Sequence, residues 1–160
     1  MYLHNAYESW GLHLKDDEKF FDRLAKAFEF YEGRIEAKQL RHYGMATWIC
    51  FRSKRSEEGI HLNLQKCIET AEKVGGKFTH GFKFIQVPMN ILMPEAYAEE
   101  WQNYIDPLNG LEREKFLVAV CNLSKMNLIA FKSILEGVVK NVPLTHSAFE
   151  NIDDTVCKHL

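Results

Sequence analysis

Short runs that are apolar on both sides, separated by longer amphipathic segments, constrain this sequence more than any other feature. The runs are Tyr2-Leu3-His4-Asn5 and residues 41–49, 82–87 and 127–131. Continuous apolarity over so few residues fits strands of a parallel sheet covered on both faces. Between about Asp16 and Lys38, Phe20, Phe21, Leu24, Ala27, Phe28, Tyr31 and Ile35 recur at threes and fours, which predicts a helix. Asp16 and Asp17 favour its start through the helix dipole. A second helix is predicted from Asn63, as N-cap, to Val74, where Gly75-Gly76 stops it. Its inward stripe is Leu64, Cys67, Ile68 and Ala71. Pro88 closes the third apolar run, and an irregular stretch through Pro94 and Pro107 follows, with a helical turn around 95–100. A third helix is expected over 111–125, with Phe116, Leu117, Val120 and Leu123 inward, and a last one over 146–160. Strand and helix in strict alternation give a parallel α/β fold of about four strands. No repeat, low-complexity segment or linker divides the chain, so residues 1–160 read as one domain.

Composition narrows the function classes. The chain is 46% hydrophobic, with 20 basic and 22 acidic residues and a formal charge of −2. That balance argues against nucleic acid or an anionic membrane as the main partner. No apolar run approaches the roughly 20 residues that a membrane helix needs. The four cysteines, Cys50, Cys67, Cys121 and Cys157, form no CxxC pair, and the 7 histidines do not cluster with them, so no metal site is expected. Buried free thiols in a reducing intracellular compartment, cytoplasm or organelle matrix, are the reading. Nothing at the start resembles a secretory signal. Both ends read as elements interrupted in mid-course, a strand end at Met1–Asn5 and a helix at Thr155–Leu160.

Taken in order, the strand ends resemble the aldo-keto reductase family. Tyr2-Leu3-His4-Asn5 is similar to its fourth barrel strand, which ends in the active-site histidine. Residues 28–38 resemble the following helix, and Tyr43-Gly44-Met45-Ala46-Thr47-Trp48 the fifth strand. Phe84-Ile85-Gln86-Val87-Pro88-Met89-Asn90, followed by Met93-Pro94-Glu95-Ala96, resembles the sixth strand and its exit in one branch of the family. Ala130-Phe131-Lys132-Ser133 with Gly137 resembles the seventh. The resemblance implies a partial (β/α)8 TIM-type barrel, with NADP or NAD lying across the C-terminal mouth where such barrels keep their chemistry. It implies reduction of aldehydes and ketones by hydride transfer, a tyrosine protonating the carbonyl oxygen with support from a lysine, an aspartate and a histidine.

Carried over by position, His4 matches the catalytic histidine and Gln86 the glutamine that holds the nicotinamide carboxamide. Ala46 and Thr47 stand where Ser-Asn usually flanks that carboxamide, Phe131 where an aromatic ring stacks on the nicotinamide, and Lys132-Ser133 where Ser-Pro is usual. Ala46 has no side-chain hydrogen bond to give, and Thr47 offers one hydroxyl in place of an amide. The family's catalytic aspartate, tyrosine and lysine belong to strands earlier than those matched, and its phosphate-gripping loop to a later one. His4 is therefore one catalytic side chain of four.

Other readings of these residues stay open. Gln86 on an apolar strand needs partners if buried, and backbone would serve. Phe131 on a parallel strand is equally a core residue. Arg52, Lys54 and Arg55 could attract a phosphate or simply form a solvated loop. The chain is then part of an NAD(P)H-dependent carbonyl oxidoreductase, a non-catalytic reductase-like subunit of a larger assembly, or a fragment without a function of its own. Four parallel strands leave two edges bare and one apolar face without filling, and each exposed Å² of that face costs about 25 cal/mol. A remaining barrel half or other protein subunits should complete it. Sedimentation with circular dichroism checks this: no cooperatively unfolding monomer is expected at micromolar concentration, and finding one refutes the need for a partner.

Overall fold

The computed structural model of the protein describes residues 1–11, 16–55, 60–77, 79–90, 92–106 and 108–131. In chain order its elements are β1 (Tyr2–His4), α1 (Asp17–Glu36), β2 (Tyr43–Ala46), α2 (Leu64–Gly75), β3 (Phe82–Pro88), α3 (Glu95–Ala98), β4 (Gln102–Ile105), β5 (Glu112–Lys115), α4 (Leu117–Leu123) and β6 (Asn127–Phe131). A turn of π-type helix covers Tyr7–Gly11, and a 3₁₀ turn covers Cys50–Arg52. The strands β1, β2, β3 and β6 lie side by side in that order, every pair parallel. This is the parallel α/β architecture that the alternation predicts.

Local chemistry fixes the helix ends. The Asp16 carboxylate accepts the Lys19 N–H at 3.1 Å and starts α1. Asn63 does the same for α2 by accepting from Lys66 at 3.0 Å. Gly76, at φ +86°, then ends α2 in a conformation that costs glycine little. The predicted stripes face inward: Phe20, Leu24, Phe28 and Tyr31 of α1 are buried, as are Leu64, Cys67, Ile68 and Ala71 of α2.

Three expectations need correction. The third helix does not run through 111–125. Residues 112–115 pair antiparallel with β4, Gln102 opposite Lys115 and Ile105 opposite Glu112, and only the short α4 follows. Glu-Arg-Glu-Lys at 112–115 has no apolar stripe to anchor a helix, whereas a hairpin joins it to a strand already held by α2. Leu123, expected inside, is 53% exposed. The second strand stops at Ala46, because the Trp48, Ile49 and Cys50 N–H groups turn to the Glu8 carboxylate instead of a ladder. Finally, β1 is not buried: Tyr2 and His4 are exposed. The helix expected over 146–160 lies outside the described residues.

Among the described residues, the helices cover one face of the sheet. In the row Leu3, Met45, Ile85, Leu128 the side chains belong to, or rest on, the core that the helices close. Alternation sends the flanking rows, Tyr2-Gly44-Phe84-Asn127 and His4-Ala46-Gln86-Ile129, to the other face. At the N-terminal end of the strands, Phe28, Tyr31, Tyr43 and Phe82 stack with ring centroids 5.0–5.8 Å apart. Glu32 on α1 ties this cluster to the strands by accepting the Tyr43 hydroxyl and the Gly81 N–H, each at 2.8 Å. Burial, reinforced by the Glu32 carboxylate, pushes the Tyr43 hydroxyl far above its ordinary pKa. Gln102, fully buried, clamps the hairpin: it accepts from Leu64 N at 2.8 Å and donates to Phe51 O and Leu62 O at 3.0 Å.

Two predictions follow from this packing. A Cβ on Gly44 would stand 2.2 Å from the Phe84 carbonyl oxygen and 2.7 Å from its Cβ. Gly44→Ala should therefore lower stability by about 1–3 kcal/mol, read from the urea midpoint of the protein. His80 is buried with Nδ1 unpartnered, and desolvation, then Lys83, lowers its pKa against an opposing pull from Glu32. A lowered folded pKa means the unfolded chain binds the proton more readily, so stability present above about pH 6.5 falls as pH drops through that value. The urea midpoint should drop between pH 7.5 and 5.5, and His80→Gln should flatten the slope; equal slopes refute the assignment.

Candidate functional site

Because all four strands are parallel, the chain leaves β1, β2 and β3 at the same end. His4, Ala46, Gln86 and Ile129 form the last complete row there. The backbones of His4 and Gln86 lie two strand spacings apart, about 10 Å. His4 is exposed and Gln86 half-buried, and neither side chain hydrogen-bonds to another described residue. Ala46 is buried between them. Its carbonyl accepts the Asn5 N–H at 2.7 Å, and Asn5 takes the left-handed conformation, φ 47°, to make that bond. Thr47 N–H is already bound to Gln86 O at 2.9 Å, and its buried hydroxyl, with no oxygen or nitrogen partner, faces the Cys50 thiol. Phe131 ends β6 opposite Pro88, at the same end of the sheet. Of the residues expected to form a mouth, the fold thus aligns His4, Ala46 and Gln86 in one row, brings Phe131 to the same end, and turns Thr47 away.

A nicotinamide carboxamide presented to this edge meets one free amide, Gln86, and one free imidazole, His4. Ala46 adds no side-chain donor, and the Thr47 backbone N–H is occupied. The edge matches part of what such a group requires.

The basic residues after β2 behave differently from one another. Arg52 is buried: its Nη1 pairs with Glu95 of α3, and its Nε and Nη2 donate to Trp48 O at 3.2 and 2.9 Å. It joins the exits of β2 and β3 and is not available to a phosphate. Lys54 and Arg55 are exposed, Arg55 lying 3.3 Å from Glu112. They border a cavity of about 410 Å³ with Glu99, Glu100, Trp101 and Phe116. Large apolar side chains also surface in these two exits: Trp48, Ile49, Leu92 and Tyr97, with Leu108 and Leu111 in the hairpin connection. Among the described residues, none surfaces in the connections at the opposite end. Exposed apolar groups also occur elsewhere, at Met1, Tyr2, Phe30, Ile105 and Leu123.

Glu8 is the residue the sequence reading missed. Its Oε1 accepts three consecutive backbone N–H groups, from Trp48 at 2.8 Å, Ile49 at 3.0 Å and Cys50 at 3.3 Å. A carboxylate a few residues beyond a strand end is the only signal the sequence offers. Among the described residues, no three His, Cys, Asp or Glu side chains gather to hold a metal, and no helix is long and apolar enough to cross a membrane. Comparison with protein-family models, curated proteins and solved structures finds no match.

The three thiols among the described residues are shielded by their environment, while Cys157 lies outside those residues. Cys50, Cys67 and Cys121 are free and buried. Burial raises all three pKa values, helped at Cys50 by the Glu8 charge, and pushes Cys121 up to about 12. The thiolate is the reactive form. Iodoacetamide at pH 8 should leave these three unmodified in the native protein and alkylate them in denaturant, as mass spectrometry of the peptides would read. Native labelling of Cys50 would contradict the burial.

Proposed function

We propose that this chain is part of an aldo-keto reductase-like (β/α)8 barrel serving NAD(P)H-dependent carbonyl reduction, and that it reduces no carbonyl by itself. One observation carries the reading. His4 and Gln86, which the resemblance assigns to the substrate carbonyl and the nicotinamide carboxamide, stand in one row at the C-terminal edge of a parallel sheet, neither side chain hydrogen-bonded to another described residue. Barrels of this type keep their chemistry at that edge. Gln86 would hold the carboxamide of NADP or NAD, which supplies the hydride when bound. His4 would donate a hydrogen bond to the carbonyl oxygen as negative charge gathers there. The proton belongs to a tyrosine that the resemblance puts on a strand unmatched in this chain, so the remaining barrel half or other subunits must bring it. The same partner would cover the Tyr2-Gly44-Phe84-Asn127 row.

Ala46 and Thr47 favour a second reading, a non-catalytic reductase-like subunit of a larger assembly. They withdraw two side-chain donors from the carboxamide.

Cofactor fluorescence and carbonyl-dependent oxidation of NADPH and NADH separate these readings. The purified chain should show no turnover, since a missing general acid alone removes about 10²–10⁴ in rate. Turnover abolished by His4→Ala would overturn the claim of inactivity. Cofactor binding weakened about tenfold by Gln86→Ala, the loss of roughly one hydrogen bond, supports the oxidoreductase reading. Absence of cofactor binding by the assembled protein supports the structural one.

A further inference from the structure

The segment after β1 has three unusual features in seven residues. Asn5 is left-handed, Tyr7–Gly11 form a π-type turn, and Glu8 within that turn grips the exit of β2. π-type turns are rare and gather at functional sites, and non-glycine residues at positive φ are uncommon. Each has a local role here. Asn5 places its N–H on Ala46 O, and its own carbonyl takes the Ser9 N–H at 2.9 Å, which opens the turn. The turn then presents Glu8 across to the neighbouring strand exit.

Three successive N–H groups converging on one oxygen form an anion-binding concavity of the kind that receives phosphates and carboxylates. In this chain the anion is supplied internally. Among the described residues Glu8 Oε2 is buried with no hydrogen-bond partner, so Oε1 takes the three amides while the Cys50 thiol lies beside the carboxylate. The Tyr7 hydroxyl donates to Asp17 Oδ1 at 3.0 Å, and its ring meets Phe20 edge-on at 4.8 Å, which anchors the turn to α1.

We infer that Glu8 is a positioning residue: its charge, acting through the amides of Trp48, Ile49 and Cys50, stops β2 at Ala46 and holds His4, Ala46 and Gln86 as the last row of the sheet. The bonds to Ala46 O and Gln86 O that complete this edge come from Asn5 and Thr47, the residues next to the clamp on either strand. The exit of β2 is also closed to an external oxyanion, since its three donors are occupied. The inference is independent of the reductase reading and holds for whatever ligand or partner meets this end.

Hydrogen exchange read by mass spectrometry on the assembled protein tests it. In Glu8→Ala, a peptide spanning 47–52 should exchange about tenfold faster, since a hydrogen bond to a charged acceptor stabilises by at least one such factor. Peptides over Tyr43 and Gly81, at the opposite end, should be unchanged. Added formate should restore slow exchange saturably in Glu8→Ala, chloride at equal ionic strength should not, and wild type should not respond to formate. Unchanged exchange in the variant, or absence of formate rescue, overturns the inference. Should Glu8→Ala fail to fold, Glu8→Gln carries the test. Its neutral oxygen keeps the shape and loses the charge, so exchange over 47–52 should still quicken; wild-type protection there overturns the role of charge.

Discussion

Parallel pairing is the constraint on which the rest of this molecule depends. A strand can lie parallel to its predecessor only if the chain crosses back between them, and the crossovers here are α1, α2 and the hairpin-plus-α4 segment. Every strand therefore enters at one end and leaves at the other. The entry end is sealed by stacked aromatic rings and the Glu32 carboxylate. The exit end holds the Glu8 clamp and the Arg52–Glu95 pair, with His4 and Trp48 exposed beside them. The division into an entry end and an exit end is a consequence of connectivity before any particular side chain is considered.

Carboxylates hold this arrangement at both ends. Glu32 reaches from α1 to Tyr43 and Gly81 where strands enter, and Glu8 reaches from the turn after β1 to residues 48–50 where they leave. Arg52, buried, and Glu95, half-buried, add an ion pair between the exits of β2 and β3. Buried ion pairs contribute less to stability than to the uniqueness of an arrangement in several systems, because desolvation offsets much of the attraction. Arg52 fits that description: its guanidinium satisfies both Glu95 and the Trp48 carbonyl, and so fixes where two loops stand relative to each other.

Among the described residues no helix packs on the second face of the sheet, and that face mixes apolar and polar side chains. Phe84 and Ile129 are apolar, while Gln86, His4 and Asn127 are polar. Gly44 lets Phe84 lie directly across its neighbour, which presses β2 and β3 together and shows that this face, too, is shaped by close approach.

The sequence by itself determined the local elements. The period of Phe20, Leu24, Phe28 and Tyr31 specifies α1, Asn63 and Gly76 bound α2, and the apolar runs mark the strands, because propensity, capping and burial patterns are written over a few residues. His4, Thr47, Gln86 and Phe131 were expected at one mouth from the resemblance and the strand ends; the pairing puts His4, Ala46 and Gln86 in one row and Phe131 at the same end. The hairpin of β4 and β5 was not legible, although the Asn109-Gly110 dipeptide is a turn signal. Glu-Arg-Glu-Lys suits either a helix surface or an edge strand, and the choice was made by Gln102 reaching Phe51, Leu62 and Leu64, some 40 to 50 positions earlier. Likewise Glu8 and Arg52 look like ordinary surface charges in the chain. Tertiary structure alone made them internal, because a carboxylate is stable beside converging amides and a guanidinium beside a carboxylate, and only folding brings those partners together.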